Sequence, residues 1–107
     1  MEKIDFSNKK SIKDLIVLSG RDLGYSLRND ILLNQKDKDD KTYTIIFPKN
    51  IISISTSFFL ALFGDSVRAC GSKEKFLSKY IIESSNNLKN NINDGINDAL
   101  NNVDGLV

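Results

Sequence analysis

Four hydroxyl residues lie between Ser53 and Ser57, directly before the most apolar run of the sequence, residues 58–63. Ser and Thr are favoured N-caps of helices, so this cluster predicts the start of a helix. A hydroxyl in the first turn of a helix is also suited to carry a phosphate, because free amides and the helix dipole stabilise a dianion. Ser55, Thr56 and Ser57 are therefore candidates for a helix N-cap or a phospho-acceptor.

Two arginines on one predicted helix form the second candidate site. Arg21, Gly24 and Arg28 fall on one stripe of a helix that we predict to be capped by Ser19. Guanidinium groups bind phosphates and carboxylates through paired hydrogen bonds, so Arg21 and Arg28 are candidate contacts for an anion or an acidic partner surface. The alternative is that the two arginines are solvated or bonded to acids of their own chain.

The composition excludes several kinds of catalytic site. The sequence has His 0 and Cys 1, so it cannot form a zinc cluster of His and Cys, a His-based triad or an internal disulfide. The single cysteine, Cys70, lies in an apolar stripe without a histidine to activate it, and we expect it to pack as a small apolar side chain. We therefore predict a protein that is not an enzyme and uses no cofactor or metal.

The charge pattern argues against nucleic acid and membrane partners. Lys+Arg 15 and Asp+Glu 14 leave a net charge of +1, and lysines alternate with acids in residues 36–41, which we interpret as a solvated loop. Nucleic-acid binding usually needs a basic stripe. The N-terminus lacks the apolar core of a signal peptide, and residues 58–63 are too short to span a bilayer. We expect a cytoplasmic protein.

The elements that position these residues indicate a small α/β domain. The sequence predicts strands at residues 15–18 and 42–47. The predicted helix that carries Arg21 and Arg28 lies between them, so we predict a parallel βαβ unit. Residues 1–14 either add an edge strand or lie on the surface. Residues 51–54 predict a brief extended piece.

The hydroxyl cluster leads into the central predicted helix. Its apolar stripe contains Phe59, Phe63, Val67 and Cys70, with Phe58, Leu62 and Ala69 beside it, so most of this helix must be covered. Gly71 is placed to end the helix. Ser72 then predicts the cap of a short helix, and residues 81–82 a returning strand.

The C-terminal part of the sequence is rich in asparagine. Its apolar residues recur at helical spacing and predict an amphipathic helix, which docks on its own domain or on a partner. We place the domain at residues 1–86 and this helix or tail at residues 87–107, with asparagine-rich disorder as the alternative. A homodimer through this helix is a further possibility. The candidate interface residues are Leu88, Ile92, Ile96 and Val103.

Two segments together resemble the STAS-like domain family of unknown function. Residues 19–31 resemble the arginine, glycine and leucine–arginine pattern of that family's first helix. Residues 54–58, followed by Leu62 to Gly64 and by Cys70 and Gly71, resemble its hydroxyl cluster, Phe, Phe–Gly and downstream glycine. The resemblance covers about residues 12–86 and implies a compact sheet packed by helices. Where the family tends to place an acidic pair in the central helix, this chain has Leu60 and Ala61.

The resemblance also implies a regulatory function. In the bacterial anti-sigma factor antagonists that give this domain its name, a histidine-kinase-like ATPase phosphorylates a Ser or Thr at the start of the central helix and so switches partners. By position that acceptor corresponds to Thr56 or Ser57. We therefore expect a non-enzymatic module that binds a protein such as a histidine-kinase-like ATPase.

Two alternatives remain open. One is a ligand-sensing module that binds a small anion or a nucleotide at the N-terminal end of the central helix. The other is a phage-conflict protein, either a defence component or an inhibitor, that binds a host or phage protein.

Overall fold

The structure is a computed structural model, and it describes residues 2–101. A short helical piece, α3, continues through a π-helical segment into α4 without a break, and we call residues 56–70 the central helix. The elements are, in chain order, β1 (Glu2–Asp5), β2 (Val17–Leu18), α1 (Arg21–Asp30), α2 (Leu33–Lys36), β3 (Tyr43–Ile46), β4 (Ser53–Ile54), α3 (Thr56–Phe59), the π-helical segment (Leu60–Gly64), α4 (Asp65–Cys70), α5 (Lys73–Lys79), β5 (Tyr80–Glu83) and α6 (Asn86–Asn101).

The strands form two parallel sheets. The larger sheet has the order β1-β3-β5, and Tyr43 of its central strand pairs with Glu2 on one side and Tyr80 on the other. The β-branched and aromatic residues of β3 favour this central position. The smaller sheet pairs β2 with β4, in register Val17 with Ser53. The predicted parallel α/β fold is therefore confirmed at this level.

The predicted pairing of the strand at residues 15–18 with the strand at residues 42–47 is wrong. Strand β2 lies in the smaller sheet, and β1 occupies the place beside β3. Strand β1 offers four paired residues and buries Ile4, whereas β2 has only two residues. The strand that forms the longer ladder, β1, therefore pairs with β3 in the larger sheet. Of the two alternatives for the N-terminus, the edge strand is confirmed.

The predicted cap of α1 is also wrong. Gly20, not Ser19, is the N-cap residue, and its φ of 91° lies in a region that glycine adopts without strain. No side-chain hydrogen bond caps α1. The chain thus leaves β2 through a glycine turn, and Ser19 lies one residue too early to cap the helix.

The central helix is buried as its sequence predicts. Phe58, Phe59 and Phe63 are all at most 2 % exposed. Gly71 ends the helix with a φ of 88°, and its N–H donates to the Val67 carbonyl oxygen at 3.0 Å. Ala69, expected on the apolar stripe, is exposed instead.

The predicted short helix and returning strand are confirmed. The Ser72 hydroxyl accepts from the Lys75 N–H at 3.2 Å and caps α5, which buries Phe76. Strand β5 follows directly. The rings of Phe76, Phe63 and Tyr80 lie within 5.8 Å of one another, centroid to centroid, so α5, the central helix and β5 share one aromatic cluster.

The C-terminal helix α6 packs on its own domain. Leu88, Ile92 and Ile96 are at most 4 % exposed and belong to the same core as the central helix. A Cβ atom on Gly95 would lie 2.3 Å from the Phe59 ring, so α6 and the central helix are in close contact there. These three candidate interface residues are therefore not available to a partner or to a homodimer. The fourth, Val103, lies outside the described residues.

The helical prediction for the C-terminal part of the chain is confirmed over α6. Because α6 completes the core, residues 2–101 form a single α/β domain. Within these residues, no helix combines the length and the apolar character that crossing a bilayer requires.

Candidate functional site

Helix α1 and the central helix approach each other closely at Gly24. A Cβ atom on Gly24 would lie 2.6 Å from the Phe58 carbonyl oxygen and 2.7 Å from the Ala61 Cβ atom. Both distances are shorter than a van der Waals contact, so this packing requires a glycine. The close approach brings side chains from the first turns of both helices together at the surface.

An open pocket of about 300 Å³ lies where these two helices meet, and we call it the arginine pocket. Each helix contributes residues spaced three or four apart, so each presents one face to the pocket. The lining residues are Arg21, Tyr25, Ser57, Leu60, Ala61, Asp65 and Arg68.

The π-helical segment determines which residues line the arginine pocket. In an uninterrupted α-helix, seven residues make about two turns, and Gly64 would align with Ser57. The wider π turn takes in one extra residue, so Asp65 reaches that face instead, followed by Arg68 one turn later. π-Helical segments are rare and are frequent at functional sites. This segment therefore places an acid and an arginine beside the hydroxyl of Ser57.

The arginine pocket is positively charged. Its two guanidinium groups and one carboxylate give the lining a net charge of +1 at neutral pH. Arg68 Nη1 donates to Asp65 Oδ1 at 3.1 Å, and Arg68 Nε donates to the Ala99 carbonyl oxygen of α6 at 3.3 Å. Within residues 2–101, no hydrogen bond or ion pair engages the guanidinium of Arg21. The guanidinium donors of Arg21 are therefore not engaged by the described part of the chain.

The three candidate hydroxyls have different surroundings. The Ser55 hydroxyl accepts from the Phe58 N–H at 3.2 Å and caps the central helix. Thr56 and Ser57 are exposed in the first turn, and the Ser57 Oγ atom lies 3.2 Å from Ser55 Oγ. Only Ser57 lines the arginine pocket. The structure thus brings Ser57 and Arg21, two of the sequence-derived candidates, into one site.

Arg28, in contrast, is buried. Its Nη1 donates to the Leu62 carbonyl oxygen at 2.8 Å and to Ser66 Oγ at 2.9 Å, and its Nη2 donates to Asp37 Oδ2 at 2.7 Å. Asn34 Oδ1 accepts from Arg28 Nη2 at 2.8 Å and from Nε at 3.1 Å. The side chain is thus bonded to an acid of its own chain, which was the alternative to an anion contact, and it is not available to a partner.

Asp37 connects Arg28 to two further hydroxyls. Its carboxylate accepts from Ser66 Oγ at 2.9 Å and from Tyr80 Oη at 2.6 Å, besides Arg28. Burial, together with the bond to the Asp37 carboxylate, raises the pKa of Tyr80 far above its ordinary value. We call Arg28, Asp37, Ser66 and Tyr80 the buried polar network; Asn34, which is exposed, bonds to Arg28 from the surface. The network joins α1, the central helix and the start of β5.

Sequence reasoning missed this network because Asp37 belongs to the charged run that we interpreted as solvated. That interpretation is wrong for Asp37, whereas Asp39 stays partly exposed but is bonded within the chain. Asp37 is nearly buried, and Asp39 accepts from Lys79 Nζ at 2.9 Å and from the Tyr43 hydroxyl. The Tyr43 hydrogen bond lowers the pKa of Asp39 to about 2, while burial raises that of Tyr43 to about 12. The one feature of the sequence that could have indicated the burial of Arg28 is its position directly after Leu27, a core residue of α1.

The remaining candidate for chemistry is Cys70. Its side chain is partly buried against the core, and this burial raises the pKa of the thiol. A neutral thiol is a poor nucleophile, and Cys70 lies outside the arginine pocket. Over residues 2–101, no three acidic or cysteine side chains are grouped so that they could hold a metal ion.

Comparison with protein-family models, with curated proteins and with solved structures gave no match. The resemblance to the STAS-like family therefore stays a prediction.

Proposed function

We propose that the protein is a non-enzymatic regulatory module of STAS-like type, which acts in the cytoplasm and is controlled by phosphorylation of Ser57. Its protein partner is a histidine-kinase-like ATPase or a protein regulated by one. One observation carries this proposal: the exposed hydroxyl of Ser57 shares a pocket with Arg21, whose guanidinium is free, and with Arg68.

Phosphorylation would change the charge of the arginine pocket. A phosphoserine carries about −1.5 to −2 charges at neutral pH. Added to a lining of +1, it would leave a net charge of about −0.5 to −1. Arg21 and Arg68 would hold the phosphate through charge-assisted hydrogen bonds, and the first turn of the central helix would add its free amides. A partner that contacts the pocket would therefore meet the opposite sign of charge.

A kinase reaction tests the modification. The protein is incubated with ATP and with the histidine-kinase-like ATPase encoded nearest to it, and the products are mapped by mass spectrometry. We expect one phosphate on Ser57 and its loss in Ser57→Ala, whereas Thr56→Ala remains a substrate. An unmodified protein, or a phosphate that stays in Ser57→Ala, would contradict the choice of Ser57.

A binding measurement tests the switch itself. Isothermal titration calorimetry compares the wild type, Ser57→Asp and Arg21→Ala with the same ATPase. We expect Ser57→Asp to change the affinity at least about tenfold, because the added carboxylate cancels the net charge of +1 on the pocket lining. Thr56→Asp is the matched control, since it adds the same charge one residue away and outside the pocket lining. Equal effects of the two substitutions would refute a role for the pocket.

A second candidate is a module that senses a small anion. The free Arg21 and the size of the pocket, about 300 Å³, favour a phosphate-bearing ligand as well. Thermal shift with inorganic phosphate and with nucleotides distinguishes the candidates. Stabilisation that disappears in Arg21→Ala would support sensing, whereas ligand-independent melting together with partner binding would support the regulatory module.

A further inference from the structure

The smaller sheet has an open backbone edge at β2. The carbonyl oxygens of Ile16 and Leu18 accept from the N–H groups of Ile52 and Ser55 at 2.7 and 2.8 Å, so both point toward β4. Because backbone groups alternate in direction along a strand, the N–H and C=O of Val17 point away from β4. Within residues 2–101, no third strand pairs with this edge.

The other edge of the same sheet is covered. The N–H of Ile54 in β4 donates to Asn91 Oδ1 of α6 at 2.8 Å. In the larger sheet, the edge strand β1 exposes Glu2, Lys3 and Asp5, which are charges of the kind that discourages pairing with other chains. The edge of β2 lacks such protection.

Apolar side chains surround the open edge instead. Leu15, Ile16 and Val17 are 39, 57 and 41 % exposed, and Ile52 of the neighbouring chain segment is 56 % exposed. Single exposed apolar residues are ordinary, but four adjacent ones indicate an interaction site. Together with the free backbone groups of Val17, they fit an added strand whose apolar side chains alternate.

The charges near β2 indicate what kind of segment would bind. Residues 6–20 contain Lys9, Lys10 and Lys13 but only one acid, Asp14, so the chain entering β2 carries a charge of +2. Acidic residues at one end of an added strand would meet these lysines. A second copy of the protein fits less well. A second copy would bring its own segment of charge +2 to the edge, instead of acidic residues that complement Lys9, Lys10 and Lys13.

We propose that the edge of β2 is a second docking surface, which binds an extended segment of a partner protein by β-strand addition. The segment has alternating apolar residues and acidic residues at the end that lies beside Lys13. No residue of the arginine pocket belongs to this docking surface. The proposal is therefore independent of the function proposed above.

Peptide titration followed by NMR tests this surface. The probes are seven-residue peptides of alternating valine and threonine with two glutamates at the amino or the carboxyl end. We expect one of the two to shift the amide signals of residues 15–19 and 52–54 at up to millimolar concentration. The same peptide with alternate N-methylated amides should cause no shifts, because it cannot form strand hydrogen bonds, and lysines in place of the glutamates should weaken binding roughly tenfold.

A backbone substitution provides the matched comparison. Val17→Pro removes the outward N–H while the bonds to β4 remain, and Val17→Thr keeps that N–H in a β-branched residue. We expect peptide binding to be lost in Val17→Pro and kept in Val17→Thr. If Val17→Pro fails to fold, the comparison of the plain and the N-methylated peptide shows whether binding depends on strand hydrogen bonds.

Three results would overturn the proposal: no shifts at residues 15–19, equal shifts with the N-methylated peptide, or equal binding of the lysine and glutamate peptides. Concentration-dependent shifts at the same residues without peptide would assign the surface to a second copy, and they too would overturn it.

Discussion

Removing the Asp37 carboxylate should destabilise the protein more than any comparable surface change. Asp37 accepts hydrogen bonds from Arg28, Ser66 and Tyr80 at 2.7, 2.9 and 2.6 Å. The side chains of Arg28 and Asp37 are only 6 and 9 % exposed, so Asp37→Ala leaves a buried guanidinium without its counter-charge. Breaking a buried pair in this way costs about 3–5 kcal/mol of unfolding free energy. For a domain of this size, that corresponds to a fall in Tm of roughly 12–40 °C.

Urea unfolding followed by far-UV circular dichroism measures this loss. Asp65→Ala is the matched control, because it also removes the acid of an Arg–Asp pair, but one whose side chains are 37 and 72 % exposed. Exposed pairs contribute about 0–1 kcal/mol, so the two substitutions should differ clearly. A loss below about 1 kcal/mol in Asp37→Ala, or equal losses in both variants, would refute the inference that the buried polar network holds the helices together.

Three further outcomes follow from the packing and the charges. Gly24→Ala should lower the free energy of unfolding in urea by about 1–3 kcal/mol, because the added Cβ would overlap the central helix. Gly64→Ala is the control and should be tolerated, because its Cβ would meet no atom closer than 3.4 Å. Equal losses in the two variants would contradict the close contact between the helices. Asp39, with its pKa lowered from 3.8 to about 2 by Tyr43, contributes stability above pH 4 that is lost as the pH falls toward 2. In Asp39→Asn, the urea midpoint of unfolding should therefore fall less between pH 4 and pH 2 than it does in the wild type. An equal fall in both proteins would contradict this role of Asp39. Phe63→Ala should cost about 3–5 kcal/mol, and an unchanged melting temperature would contradict its core position.

Local signals in the sequence predicted most of the elements correctly. The hydroxyls before residues 56–70 and 73–79 marked real helix caps at Ser55 and Ser72. Gly71 marked a real helix end. Such signals act within a few residues, because a cap bonds to amides of the next turn, and so they can be read from a short window of sequence.

Pairing over longer distances could not be read in this way. Nothing local distinguishes β1 from β2 as the neighbour of β3, since that choice depends on the length of each ladder and on what the rest of the chain covers. Asp37 could not be singled out among the charges around it, because its partners Ser66 and Tyr80 are 29 and 43 residues away in the sequence.

The different positions of Arg21 and Arg28 explain how α1 builds the arginine pocket. Arg28 ties α1 to the π-helical segment through the Leu62 carbonyl oxygen, and Gly24 allows the close contact between them. Arg21 begins the same helix, so these two contacts hold the start of α1 beside Ser57. A binding group held in place before the ligand arrives loses less conformational entropy on binding. Loosening the Arg28 anchor should therefore weaken the anion binding that we propose for the pocket, although Arg28 does not line it.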